Sequence, residues 1–181
     1  MKVFAYCTRP ARFAVAMATQ SDPMVSPPMV AAGFESRLMI GAALIYIRLH
    51  GSKSKPAQWF GEDDDGRLWL ALRADQLAGV RFERQPVVVI ANCYGDKSAI
   101  SQAFYNAGAT AVIAGSGENY AAGRRVIGTD KLVQGIIDGL RQGMTPAGAL
   151  NMAKRQLWLT AWRKPDRDAL GFNILEKTNH E

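Results

Sequence analysis

A chain of 181 residues, 48% of them hydrophobic and 21% charged, can bury one sizeable core, so residues 1–181 are expected to form a single domain. The net charge of +6 comes from 22 basic side chains spread along the chain without a run of like charges, which argues against nucleic acid as a partner. No stretch is apolar enough to cross a membrane, no secretion signal is evident, and two cysteines make no disulfide framework, so we expect a cytoplasmic protein that has reduced thiols and no membrane partner.

The first half of the chain alternates strand-like and irregular segments. Val3–Thr8, "VFAYCT", is short, aromatic and β-branched, which predicts a strand. Within residues 9–33, "ARFAVAMATQ" could be helical, but three prolines follow it, so we predict a loop or arm of uncertain structure. Leu44–Leu49 is almost wholly apolar or β-forming, as expected of a strand covered on both faces. The segment "QWFGEDDDGRLWLAL" then predicts a hairpin around an acidic Asp-Gly turn.

The second half alternates strands and helices. Val87–Ala91 and Thr110–Gly115 are short apolar runs, and each precedes a segment with helical spacing of apolar residues. Thr145 and Pro146 predict the start of another helix, as N-cap and first helical residue, and "GFNILE" predicts a last edge strand. Buried strands separated by helices indicate an α/β fold, a three-layer α/β/α sandwich with a mostly parallel central sheet.

Two of these buried strands end in reactive residues. "LIYIRLHG" delivers His50 and "VVVIANC" delivers Cys93, and both side chains emerge at one edge if the two strands are neighbours. A thiol and an imidazole are the minimum equipment for nucleophilic acyl transfer, because the imidazole accepts the thiol proton and later protonates the leaving amine. Backbone N–H groups at Gly51 and Cys93 are candidates to hold the oxyanion. A single cysteine here would more often be a small buried hydrophobe, so the argument depends on the pair.

Together these segments resemble a known family. "LIYIRLHGS", followed 43 positions later by "VVVIANCYGD", looks like the histidine and cysteine motifs of the caspase-like cysteine peptidases of clan CD, which include caspases, gingipains, separases and bacterial CHAT domains. The stretch after Cys93 is similar to the CHAT and separase pattern, so the resemblance covers residues 44–157. It implies a caspase-like fold, a dyad of Cys93 and His50, no metal or cofactor, and hydrolysis of a peptide bond in a protein or peptide substrate.

The resemblance also implies a pocket for the residue before the cut. "GTDKL" is similar to a separase segment that helps to select a basic side chain, which makes Asp130 a candidate for binding Arg or Lys; Glu118 is a weaker one. Asp130 could equally be the N-cap of the following helix, and both interpretations stay open. Two features depart from the family: the bulky Tyr94 follows the cysteine, and residues 9–33 match nothing in it.

The leading interpretation is therefore a cysteine endopeptidase that cuts after a basic residue. The alternative is a catalytically inactive or partner-activated interaction module on the same scaffold, which implies an activating or regulatory protein partner. A nucleotide-binding domain is a weaker third interpretation, because "GSGENYAAG" lacks a phosphate-binding glycine pattern. The acidic "GEDDDG" lacks the ligand spacing of a calcium loop, so we interpret it as a solvated hairpin tip.

Overall fold

The computed structural model describes residues 1–119, 125–161 and 164–176. Eight strands lie in this part of the chain: β1 (Val3–Thr8), β2 (Met24–Ser26), β3 (Leu44–Arg48), β4 (Gln58–Glu62), β5 (Leu68–Arg73), β6 (Val87–Ile90), β7 (Ala111–Gly115) and β8 (Phe172–Glu176). Six of them form the central sheet in the order β2-β1-β3-β6-β7-β8, and β4 and β5 form a separate antiparallel hairpin. Neighbours in the central sheet are parallel except β8, which runs antiparallel to β7.

Helices cover both faces of the central sheet. They are α1 (Arg12–Thr19), α2 (Ala99–Asn106), α3 (Thr129–Arg141), α4 (Pro146–Trp158) and α5 (Lys164–Ala169). Residues of α1, α3, α4 and α5 pack on one face, and residues of α2 and the β4–β5 hairpin pack on the other. This confirms the predicted α/β fold with a mostly parallel sheet between flanking layers. No helix within the described residues is long and apolar enough to span a membrane.

Strand β3 shows why the strand sequences read as continuous apolar runs. Tyr46 points into the core on the α3 side, while Ile45 and Ile47 point into the core on the α2 side. Since side chains alternate across a strand and both faces are buried, no position favours a polar residue. The start of α4 is also as predicted: Thr145 accepts a hydrogen bond from the Gly148 N–H at 3.2 Å, and Pro146 is the first helical residue.

Helices α3 and α4 approach each other through small residues. A Cβ atom added at Gly135 would lie 2.8 Å from the Cβ of Ala153, and one added at Gly139 would lie 2.8 Å from the Cβ of Ala149. The close approach allows Leu132, Val133 and their neighbours on α3 to fill the core against the sheet. This packing sets the position of the amino terminus of α3, where Asp130 lies.

Residues 9–33, whose structure the sequence left open, form helix α1 and edge strand β2. The strand is only three residues long and pairs in parallel with β1, with Cys7 opposite Val25. Local propensity gives little signal for such a short segment between prolines. The strand exists because α1 returns the chain alongside β1, where backbone groups pair.

Candidate active site

His50 and Cys93 lie at matching positions beyond two neighbouring strands. β3 and β6 pair in parallel with Leu44 opposite Val87, an offset of 43 positions, and His50 and Cys93 are separated by the same offset. Both residues line a cavity of about 440 Å³ at the carboxyl edge of the sheet. The expectation that the two strands are neighbours is therefore confirmed, and both residues line the same cavity.

The glycine after His50 is required by the close contact between the two strand ends. A Cβ atom added at Gly51 would lie 2.2 Å from the carbonyl oxygen of Cys93, a distance that no side chain can occupy. One residue before each of the pair, the N–H of Leu49 donates to Oδ1 of Asn92 at 2.9 Å. These two contacts hold the loop that carries His50 against the loop that carries Cys93.

The β4–β5 hairpin orients His50. The backbone N–H of His50 donates to the Phe60 carbonyl at 2.8 Å, and the Phe60 N–H donates back to the His50 carbonyl at 3.0 Å. Nε2 of His50 lies 2.6 Å from Oε2 of Glu62. With Nε2 occupied by the carboxylate, Nδ1 is the ring nitrogen left for the sulfur.

Glu62 is a site residue that the sequence analysis missed. It stands in the segment interpreted as a solvated hairpin tip, and that interpretation holds for the turn residues, because Asp63 accepts hydrogen bonds from the Asp65 and Arg67 N–H groups. Nothing in the local pattern distinguishes Glu62 from the aspartates beside it. Its role follows from the bridge between His50 and Phe60, which brings β4 beside the histidine.

The loop after β7 contacts the sulfur of Cys93. The backbone N–H of Asn119 lies 3.4 Å from Sγ, and the Asn119 carbonyl lies 3.8 Å from it. The Asn119 side chain donates to the backbone carbonyl of Asn92 at 2.9 Å, which fixes this loop to the end of β6. These contacts hold the loop after β7 against the sulfur of Cys93.

Tyr94 and Glu118 lie on the other side of the cysteine. With Cys93 they line a second cavity of about 720 Å³, and the Tyr94 hydroxyl donates to Glu118 Oε1 at 3.3 Å. The negative charge of Glu118 raises the pKa of Tyr94. Tyr94 itself has a left-handed backbone conformation with φ of 55°, and its N–H donates to the Gly117 carbonyl at 2.8 Å. Glu118 is thus an exposed carboxylate at the wall of a cavity that Cys93 also lines.

Asp130 has different surroundings. It is 1% exposed, its carboxylate lies 2.8 Å from the Arg48 guanidinium, and it accepts a hydrogen bond from the Tyr46 hydroxyl at 2.8 Å. Burial raises its pKa, against the opposing effect of Arg48. The N-cap position of α3 belongs to Gly128, so Asp130 does not cap the helix. Arg48 lines the cavity that His50 and Cys93 also line, and Asp130 is next to that cavity as the ion-pair partner of Arg48.

The two cysteines differ in their surroundings. Cys7 is fully buried, and burial raises its pKa to about 12, whereas Cys93 is partly exposed in the cavity. A thiol that stays protonated in the core is no nucleophile at neutral pH. Within residues 1–119, 125–161 and 164–176, no group of three His, Cys, Asp or Glu side chains is arranged to hold a metal ion.

The fold and the paired residues at its sheet edge define a class, the α/β proteins of caspase-like fold. A solved member of this class, the Arg-specific cysteine proteinase gingipain R, matches with a TM-score of 0.59 at 14% identity over 95% of this chain. This chain spans 45% of that proteinase's length. At this identity the likeness shows the fold alone.

A pyridoxal kinase from Staphylococcus aureus matches more weakly, with a TM-score of 0.38 and 11% identity over 97% of this chain and 99% of the kinase. A similarity at this level carries no argument about this chain. No protein-family model and no curated protein sequence matches it.

Proposed function

We propose that the chain is a cysteine endopeptidase in which Cys93 is the nucleophile and His50 the general base and acid. One observation carries the proposal: the two residues have the same register across neighbouring parallel strands and line one cavity. The caspase-like fold shared with a cysteine proteinase supports the same conclusion.

The reaction needs four proton transfers, all through His50, and one covalent intermediate. Nδ1 of His50 takes the proton of the Cys93 thiol, and the thiolate attacks the carbonyl carbon of the scissile bond. The imidazolium then protonates the leaving amine as the C–N bond breaks, which leaves a thioester. Water, deprotonated by His50, hydrolyses the thioester and restores the thiol. The N–H groups of Gly51 and Cys93 are our candidates for stabilising the oxyanion, and losing one such donor typically costs about 3 kcal/mol of barrier.

Glu62 has the position of an orienting group for His50. Its carboxylate accepts a hydrogen bond from Nε2–H, which favours the tautomer in which Nδ1 is unprotonated and able to act as the base. The same negative charge stabilises the imidazolium that forms during the reaction. We therefore assign Glu62 as a positioning residue that acts through His50.

We further propose that the residue before the cut is Arg or Lys. Of the two candidate carboxylates, Glu118 has the better support, because it is exposed in the cavity that contains Cys93. Asp130 would have to release Arg48 before it could bind a substrate cation, and both side chains of that ion pair are buried. On the motifs quoted above, we place the chain with the CHAT and separase type of this fold, and we expect it to act in the cytoplasm on protein or peptide substrates.

Labelling with peptide electrophiles tests nucleophile and specificity together. Probes with Arg, Lys, Asp or Leu at the first position are incubated with the protein, and the modified residue is located by mass spectrometry. We expect modification of Cys93, fastest with the Arg and Lys probes, and loss of both labelling and reporter cleavage in Cys93→Ala and His50→Ala. The matched control is Cys7→Ala, in which we expect Cys93 to be labelled as in the wild type. Cleavage that survives Cys93→Ala would refute the dyad.

One observation favours the second candidate, a module that needs a partner before it cuts. The N–H and the carbonyl of Asn119 both contact the sulfur of Cys93. At the adjacent cavity, the Tyr94 hydroxyl donates a hydrogen bond to Glu118. A partner that moves this loop would expose the thiol. This candidate predicts that Cys93 reacts slowly even with small iodoacetamide until the partner is added, whereas the leading proposal predicts reaction in the isolated chain.

A further inference from the structure

We call the cavity lined by His50 and Cys93 the catalytic cavity. A groove lies beside it, and the cleavage step described above does not use that groove. Its volume is about 670 Å³, and it is lined by Arg9, Pro10, Arg12, Phe13, Ala16 and Asp22, together with Asp64 from the hairpin turn. Residues 9–33 are the segment without a counterpart in the family pattern. Most of the groove's lining therefore comes from a segment outside the quoted sequence motifs.

The groove and the catalytic cavity are neighbours. Pro10 lines both of them, so the two spaces share a wall. On the hairpin side, Glu62 lines the catalytic cavity, and Asp64, two positions later, lines the groove. Pro10 thus lies between the cavity that Cys93 lines and the groove beside helix α1.

Helix α1 exposes its two largest apolar side chains and buries smaller ones, Val15 among them. Phe13 is 62% exposed and Met17 is 53% exposed, whereas Ala14 and Ala18 are buried. Apolar burial favours folding in proportion to area, so a helix shaped by folding alone would bury the larger side chains. Phe13 lines the groove together with the apolar residues Pro10 and Ala16, and adjacent apolar surface of this kind is what a binding site presents.

The charges around the groove neutralise one another. Arg9 lies 3.5 Å from Asp64, and Arg12 lies 3.0 Å from Asp22. With each guanidinium paired to a carboxylate of the same groove, the lining offers no net charge to a ligand. Its remaining surface comes from Pro10, Phe13 and Ala16, which are apolar, so it is complementary to an apolar side chain.

We propose that this groove is a subsite for an apolar side chain of the same polypeptide that Cys93 cuts, a few residues from the scissile bond, with Phe13 as the specificity-determining residue. The proposal rests on the proposed peptidase function. It names the substrate class more closely: an extended polypeptide with a cleavage residue and a separate apolar anchor. Binding energy gained at such a distant contact accelerates cleavage when it positions the scissile bond.

Two kinds of substrate separate the groove from the dyad. The first is a short reporter that ends at the cleavage residue. The second is a set of extended peptides with serine at the positions around the cut. In each member, leucine or phenylalanine replaces the serine at one position, from the fourth before the cut to the fourth after it. In the wild type, we expect one position to raise kcat/KM by about tenfold. Phe13→Ser should abolish this gain and leave the short reporter unchanged. Met17→Ser, an exposed apolar residue of the same helix outside the groove, should change neither.

The same peptides give a readout that does not need cleavage. Binding of the apolar peptide and its serine counterpart to the Cys93→Ala variant is measured by calorimetry, with and without Phe13→Ser. We expect the wild-type groove to bind the apolar peptide about tenfold more tightly and the Phe13→Ser groove to bind both equally. The groove proposal is overturned if Cys93→Ala binds the apolar and the serine peptide equally whether or not Phe13→Ser is present. It is also overturned if Met17→Ser loses the preference for the apolar peptide as fully as Phe13→Ser does. If the preference is found but no peptide is cut, the groove stands and the peptidase proposal fails.

Discussion

Nε2 of His50 lies 2.6 Å from a carboxylate oxygen of Glu62, and this contact connects the β4–β5 hairpin to the candidate dyad. The two residues are twelve positions apart, but the backbone bridge between His50 and Phe60 brings them together. The hairpin therefore belongs to the site, although the central sheet does not include it.

We expect Glu62→Gln to lower kcat by about tenfold or more, because the amide keeps the shape of the side chain but cannot stabilise an imidazolium. The measurement is the rate of reporter cleavage at saturating substrate. Asp65→Asn removes a carboxylate from the tip of the same hairpin and is the matched control, expected to match the wild type. Equal activity in the two variants would contradict a role for Glu62.

Gly51→Ala should abolish activity, because its Cβ atom would lie 2.2 Å from the carbonyl oxygen of Cys93 and must push the two loops apart. We expect weaker labelling of Cys93 and a lower melting temperature. Gly33→Ala is the control, since the nearest atom to its added Cβ is 3.9 Å away. If Gly51→Ala labels and cuts normally, the two strand ends are not in the close contact described above.

Breaking the buried ion pair should be costly for stability. Asp130→Ala leaves the Arg48 guanidinium buried without its carboxylate, and we expect the free energy of unfolding to fall by about 3–5 kcal/mol in urea denaturation. The double variant Arg48→Met, Asp130→Leu should recover much of the loss, because it removes both charges. A loss below about 1 kcal/mol would show that the pair is hydrated in solution.

Specificity provides a test of Glu118. Glu118→Gln should lower kcat/KM for an Arg reporter by about tenfold relative to a Leu reporter, because it removes the carboxylate exposed beside Cys93. Asp130→Asn should retain the preference for Arg in whatever fraction folds, since Asp130 is buried against Arg48. The opposite result, with the preference lost only in Asp130→Asn, would assign the basic pocket to Asp130.

Stability at alkaline pH should depend on Cys7. Burial raises its pKa from 9.0 to about 12, so between these values the unfolded chain loses a proton that the folded chain keeps. Its contribution is fully present below pH 9 and is lost as the pH rises toward 12, at no more than about 1.4 kcal/mol per pH unit. Urea midpoints at pH 7.5 and pH 10 should therefore differ less in Cys7→Ala than in the wild type. An equal difference in both would contradict a buried, protonated Cys7.

Much of this arrangement was predictable from local pattern. Apolar runs that end at Gly, Asn or Asp indicated β3, β6 and β7, and the Thr145-Pro146 pair marked the start of α4, because strand burial and helix capping act over a few residues. His50 and Cys93 stood out because each directly follows such a run. A register that pairs equivalent positions of β3 and β6 then brings them to one cavity.

The remaining features depend on contacts between segments that are distant in sequence. In the sequence, Glu62 is one of four consecutive acidic residues, and only the pairing of β4 with His50 distinguishes it from the others. Asp130 resembles an N-cap in the sequence, but in the structure it pairs with Arg48 in the core. Within residues 9–33, the pairing of β2 with β1 and the exposure of Phe13 both depend on how α1 packs beside β1. The sequence by itself determined the elements and the two reactive residues, because these follow from local propensity and burial. Only the tertiary structure decided which charges are paired and which cavity each side chain lines, because those depend on the register and packing of the whole sheet.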